Sequence, residues 1–249
     1  PAIHWVAVAI MILGSLPFTL YVATLRGHRR ALLKDHQVRG FIGFLVFAWL
    51  AVGTWLCLHS DYGWWDAFRI VAVNVTSVVT TTGVAVGDYT VWGSFSVLLF
   101  FYLTFVGGCS GSTAGGLKIF RFQVAATLLV SSLKQLIHPR AVIQKKYNGH
   151  PIDEEILRSL LTFSFFFTIT IAVIALGLSL IGLDWTTALS GAATAVCNVG
   201  PGLGTIIGPA GNFSSLPDAA KWLLTIGMLL GRLEILTVLV LITPVFWRY

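Results

Sequence analysis

Four apolar stretches of this chain that read as membrane spans run for more than 20 residues without a Lys, Arg, Asp or Glu. They are Ile3–Leu25, Gly40–Ser60, Thr90–Leu117 and Ser159–Leu183, and a fifth, Trp222–Trp247, is interrupted only by Arg232 and Glu234. About 20 apolar residues span the hydrocarbon core of a bilayer as a helix. With only 10% of its residues charged, against roughly 25% in a soluble domain, the chain reads as an all-α membrane protein with lipid as its first partner. The net charge of +6 does not indicate nucleic acid. Twelve of the sixteen Lys and Arg fall in two blocks between spans, Arg26–Arg39 and Lys118–Arg158, the pattern of cytoplasmic loops. Cys57, Cys109 and Cys197 lack metal or disulfide spacing and read as reduced thiols.

Taken in order with those loops inside, the spans give five transmembrane crossings, with the N-terminal end outside and the C-terminus cytoplasmic. The acid and Trp clusters Asp61–Asp66 and Asp184–Trp185 then fall at the outer interface, where Trp concentrates. Ala67–Val79 and Ala188–Val196 are too short to cross and read as re-entrant pore helices, with Asp184 placed to cap the second. The chain opens at Pro1 and is apolar by Ile3, so its start reads as a cut in a longer protein.

Each short segment runs into irregular chain: Val78–Ala85, which holds Thr80, Thr81, Thr82, Gly83 and Val84, and Ala195–Gly202, which holds Cys197, Asn198, Val199, Gly200 and Pro201. Unpaired peptide groups are tolerated at membrane depth only inside protein or along a watery cavity. The two stretches are one device used twice, 117 residues apart counted from Gly83 to Gly200. A helix C-terminus carries the negative end of its dipole, and carbonyls beyond it can replace a cation's hydration shell. A carbonyl-lined cation path is therefore expected. Either stretch alone could be a plain turn; duplication in one topological slot, with Asp66, Asp88 and Asp184 near the mouth, favours the path.

Between them, Gly107, Gly108, Ser110, Gly111, Ser112, Thr113, Gly115 and Gly116 lie in a run that holds five glycines, at ~1 kcal/mol each in a helix. It fails as a phosphate loop, because Leu117 separates Gly116 from Lys118 and no Ser or Thr follows. It fails as a hydrolase elbow for want of the closing Gly. A broken helix serving as an intramembrane gate is expected, with close packing through small residues as the competing reading. Arg232 is a charge within an apolar span. Glu234, two residues on, cannot share its helix face, so Arg232 needs another partner at the depth of the glycine run. It would oppose cation leakage or hold the loop by hydrogen bonds.

The motifs Thr80–Gly83, Gly107–Lys118, Asn198–Gly204 and Leu229–Glu234 together resemble the Trk/Ktr/HKT superfamily of potassium transporters, closest to its bacterial TrkH-type subunit. That resemblance implies helix–pore-loop–helix repeats, four around one pore, of which this chain matches the third and fourth. Residues 1–25 would be the final helix of a preceding repeat, 26–39 a cytoplasmic loop, 40–135 repeat three, 136–158 a cytoplasmic linker and 159–249 repeat four. It implies potassium uptake across the bacterial inner membrane, with potassium bound at the filter stretches, the glycine run as gate, Arg232 as barrier and no organic cofactor or enzymatic activity. Its further implications are a homodimer and a cytosolic nucleotide-binding, TrkA-like regulatory subunit. Val84 and Cys197 depart from the Phe and Asn commoner there, which leaves ion preference open, as are proton-coupled symport, sodium coupling and channel-like flow. The alternative is a non-conducting membrane scaffold or regulatory subunit that keeps the fold.

Overall fold

The computed structural model describes residues 2–28, 30–141, 144–233, 235–244 and 246–248. Its first feature departs from expectation. In place of one span over Ile3–Leu25 there are two helices, α1 (Ala2–Gly14) and α2 (Phe18–Leu25), bent by 91°. Pro17 explains the break: it has no amide to give the ladder and its ring clashes with the preceding turn. Its φ of −66° and ψ of 125° start α2 in a new direction.

After the short α3 (Ala31–Lys34), α4 (His36–His59) begins where the Asp35 carboxylate accepts the Val38 amide at 3.1 Å, an N-cap. Its 24 residues reach about 36 Å at 1.5 Å each. With α8 (Glu154–Leu180) it is, among the described residues, one of two helices long and apolar enough to cross a membrane, three if the bent pair counts as one span. Both present large apolar side chains outward, including Phe47 and Leu58 on α4 and Leu161 and Leu180 on α8, while Thr76, Ser77, Ser190 and Thr194 are buried. Apolar outside and polar within reverses the soluble pattern and suits lipid.

Two shorter helices, α5 (Trp64–Val79) and α9 (Trp185–Cys197), sit where the re-entrant segments are expected. Val71–Thr80 and Ser190–Cys197 are buried without a break, so these are central helices. Asp184 caps α9 as anticipated, accepting the Thr187 amide at 3.1 Å. A hydrogen bond with the Thr187 side chain, with the nearby backbone amides adding to it, holds its carboxyl below the usual carboxylate range.

The crossings after these helices are broken. The 28-residue apolar stretch holds only a 12-residue helix, α6 (Ser94–Phe105), and the chain resumes as α7 (Ile119–Ile137). The loop between is closed at its neck by a two-residue parallel pair, β1 (Val106–Gly107) with β2 (Leu117–Lys118), although no strand is expected beside the glycine run. After α10 (Gly204–Ile207), the last crossing divides into α11 (Asp218–Arg232) and α12 (Ile235–Ile242). Packing repeats as well. α5 lies against α4 and α6, α9 lies against α8 and α11, and α6 touches α9 to join the two units.

The linker 136–158 is not featureless. Strands β3 (Lys146–Tyr147) and β4 (His150–Pro151) form an antiparallel hairpin over Asn148–Gly149, both at positive φ, the Asn-Gly turn such hairpins favour. The Tyr147 hydroxyl donates to the Gln123 side chain, which pins the hairpin to α7.

Candidate functional site

The local fold follows from where α5 and α9 end. After Val79 the chain turns through Thr81 at φ 55° and Gly83 at φ 79°. After Cys197 it turns through Asn198 at φ 56° and Gly200 at φ 119°. Thr81 and Asn198 occupy equivalent places; Asn tolerates the left-handed well, whereas the β-branched Thr81 is strained there. The hydrogen bonds repeat at the same offset. Thr81 N donates to Val78 O at 3.1 Å and Thr82 N to Ser77 O at 2.8 Å; Asn198 N donates to Ala195 O at 3.1 Å and Val199 N to Thr194 O at 3.0 Å. The strand that follows is tied back to its helix by a side chain in both units. Asn74 brackets Val86, accepting its amide at 2.8 Å and donating to its carbonyl at 2.9 Å, and Ser190 Oγ accepts the Leu203 amide at 3.0 Å.

The two turns meet. A Cβ on Gly83 would lie 2.3 Å from Val199 O, and one on Gly200 would lie 3.5 Å from Gly83 Cα. Thr80 and Thr82 face each other through their hydroxyls at 2.8 Å. Among the described residues, no hydrogen bond reaches the carbonyls of Thr80–Val84 or of Asn198–Pro201. These carbonyls stand at the C-terminal ends of two buried helices, so a negative potential gathers there. Thr82, Val84 and Gly200 are exposed and Pro201 half-buried, while Thr80, Cys197 and Val199 are buried.

Directly behind the turns lies the glycine loop. Gly115 N donates to Thr81 Oγ1 at 2.7 Å, and a Cβ on Gly115 would lie 2.4 Å from Cys197 O. The loop therefore touches both turns at one residue. A Cβ on Gly107 would lie 2.1 Å from Gly115 O, so the neck tolerates no side chain there. The break between α1 and α2 supplies the loop with acceptors: Cys109 N donates to Ser15 O at 3.0 Å and Thr113 Oγ1 to Gly14 O at 3.0 Å. In return Phe18 N donates to Gly111 O at 3.0 Å, and Ser110 N reaches Gln37 Oε1 at 2.7 Å. Ile119 N closes the neck on Gly108 O at 3.1 Å, Ser112 Oγ donates to Cys109 O at 2.6 Å and Lys118 Nζ donates to Ala114 O. Gly111 and Gly116 take φ of 75° and 66°.

Arg232, at the end of α11, donates from Nη1 to Thr113 O at 2.9 Å. Glu234 lies outside the described residues. α11 comes this close because Gly231 has no side chain, since a Cβ there would lie 1.8 Å from Val196 O.

The structure thus brings the two expected turns together at Gly83 and Val199, sets Gly115 of the glycine run against Thr81 and Cys197, and bonds Arg232 to Thr113. Sequence reasoning missed several supports: the Gly14–Pro17 break that feeds the loop, the anchors Asn74 and Ser190, and the contact at Gly231. The break was legible as Gly-Ser-Leu-Pro inside an apolar run. Ser190 was not recoverable from the duplication offset, which carries Asn74 to Gly191.

Two buried short helices ending in unbonded carbonyl turns, sheathed by lipid-facing helices, define an all-α integral membrane protein built on a duplicated unit. The chain belongs to the TrkH family, described as cation transport protein, whose model matches residues 1–249; it is a family of transporters and not of enzymes. Among curated relatives, the chain is 58% identical over 248 residues to the Trk system potassium uptake protein TrkI of Halomonas elongata, covering 100% of this chain and 50% of that protein. It is 35% identical to the Trk system potassium uptake protein TrkH of Vibrio parahaemolyticus, covering 99% of this chain and 51% of that protein. It superposes on the crystal structure of the potassium transporter TrkH from Vibrio parahaemolyticus with a TM-score of 0.92 at 35% identity, over 99% of this chain and 53% of that one. The chain spans about half the length of the curated relatives it matches.

Proposed function

We propose that this chain supplies two of the pore repeats of a potassium uptake protein. The observation that carries the proposal is the pair of turns at the ends of two buried helices, touching at Gly83 and Val199, whose carbonyls at Thr80–Val84 and Asn198–Pro201 accept no hydrogen bond among the described residues. At membrane depth such groups need solvation, and a dehydrated cation held by carbonyl oxygens provides it. Thr82 and Asn198 add side-chain oxygens. Potassium is favoured as the cargo because relatives covered from end to end of this chain are potassium uptake proteins.

The loop from Gly107 to Gly116, with Arg232, is the gate. It crosses behind the turns, and glycine leaves it free to take a second path. The Arg232 guanidinium adds positive charge where a cation leaving the turns would pass, so it both opposes leak and tethers the loop at Thr113. Five crossings with the basic blocks inside, bacterial inner-membrane residence, a homodimer and a nucleotide-binding regulatory subunit docking on the basic loops complete the reading. The last is supported by the hairpin β3–β4, which gives the linker an ordered surface.

The test uses the full-length protein in a bacterial host deprived of its own potassium uptake. Growth on low potassium and saturable rubidium uptake are expected. A protein that inserts in the membrane yet carries no rubidium would identify a scaffold or regulatory subunit and overturn the proposal.

A further inference from the structure

The offset that relates Gly83 to Gly200 also relates Ser77 to Thr194, and here the two units stop matching. Thr194 is 2% exposed, and its Oγ1 accepts the Gly200 amide at 3.0 Å. The equivalent amide, Gly83 N, goes instead to the Ser77 backbone carbonyl at 3.4 Å. Ser77 is 1% exposed, and its hydroxyl has no partner among the described residues. The backbone bonds Thr81 N to Val78 O and Thr82 N to Ser77 O are repeated as Asn198 N to Ala195 O and Val199 N to Thr194 O, so this is a local difference within a shared backbone turn.

The backbone angles follow the same division. Gly83 lies at φ 79° and Gly200 at φ 119°, against about 57° in the left-handed well. A buried hydroxyl holding the amide keeps Gly200 away from that well. Where no side chain holds it, the glycine settles nearer. The Gly200 amide shares its rigid peptide plane with the Val199 carbonyl, so the hydroxyl that holds that N–H also fixes where Val199 O points.

We propose that Thr194 is a positioning residue for ion selectivity, its hydroxyl pinning Gly200 against relaxation, while Ser77 leaves the equivalent Gly83 amide held by a backbone carbonyl alone. One quarter of the filter is then rigid and its neighbour compliant. This inference rests on the reading of the turns as a filter.

The test compares Thr194→Val, Thr194→Ser, Thr194→Ala and Ser77→Ala in the full-length protein, with rubidium uptake measured against competing sodium and potassium. Valine keeps the shape and removes the acceptor, stranding a buried amide. Losing such a bond lowers discrimination against sodium by about tenfold. Thr194→Ser keeps the hydroxyl and restores discrimination; Thr194→Ala repeats the valine result without its β-branch. Ser77→Ala, which removes a hydroxyl that holds nothing, changes the ratio several-fold less. Wild-type discrimination in both Thr194→Val and Thr194→Ala, or equal losses at 77 and 194, would overturn the proposal. If the parent protein itself carries no rubidium, it is the filter reading that has failed.

Discussion

Removing the Arg232 side chain isolates what holds the glycine loop in place. Its Nη1 donates to Thr113 O at 2.9 Å from an exposed position. A hydrogen bond to a charged group contributes about 1.5–3 kcal/mol when sheltered, and exposure puts this one at the lower end. The loop keeps its other ties: Thr113 to Gly14, Gly115 to Thr81, Lys118 to Ala114 and the two-residue neck. Arg232→Ala therefore loosens the loop without unravelling it. About 1.4 kcal/mol shifts a closed-to-open ratio tenfold, so resting rubidium flux should rise about tenfold. Loss of the positive charge beside the path acts in the same direction.

The assay is rubidium flux through the reconstituted full-length protein with its regulatory subunit absent. Arg232→Lys separates the two contributions, because lysine keeps the charge and loses the planar fork. Flux like that of the alanine variant assigns the effect to the tether; flux like that of the wild type assigns it to charge. An alanine variant whose flux is unchanged or lower refutes the gate reading of Arg232.

Other substitutions test the turns and their surroundings. Gly83→Ala must move Val199 O, which lies 2.3 Å from the new Cβ, and Gly200→Ala must bear an L side chain at φ 119°; both should abolish preference for potassium over sodium, and intact preference in competition uptake would sink the filter assignment. Gly231→Ala drives a methyl to 1.8 Å from Val196 O, so it should prise α11 from α9 and remove the monodisperse peak in detergent size exclusion; a normal peak would deny that contact its importance. Asp184 caps α9 with a carboxyl held below its usual value of 3.8. A depressed folded-state pKa means that its stabilisation is present above the unfolded value and is lost as pH falls through the folded one. Thermal midpoints in detergent should thus drop on acidification below about pH 4, and Asp184→Asn, which retains a cap, should remove that dependence.

How much of this was legible beforehand depends on the range of the forces involved. The two short central helices were visible because apolar length is a local quantity: Ala67–Val79 reads as too short to cross, and α5 ends at Val79. The pairing of Gly83 with Gly200 was visible because duplication leaves an offset in the chain. The 91° bend at Pro17 was overlooked because hydropathy alone reads Ile3–Leu25 as continuous, although Pro in an apolar run is a local signal. The short pair β1–β2 could not be foreseen. Two residues carry no strand pattern, and the pairing exists only because glycine at 107 lets the chain cross Gly115. The contact from Arg232 to Thr113 was anticipated in depth but not in partner, since a backbone carbonyl leaves no mark on the sequence.

The three breaks in the crossing helices fall together, and that convergence explains why a gate would be built from glycine. The bend after Gly14 frees two carbonyls, the loop between Val106 and Lys118 uses them, and the end of α11 brings Arg232 onto the loop's far side. A loop held from both flanks by single hydrogen bonds of about 1 kcal/mol each can be released by a small bias, which a packed helix could not. The same loop touches Thr81 through the Gly115 amide and crowds Cys197 O. It cannot move without unbinding one carbonyl turn and relieving the other. On the proposed reading of loop and turns, gate and filter are mechanically one device, and a change that opens the first must alter the geometry of the second.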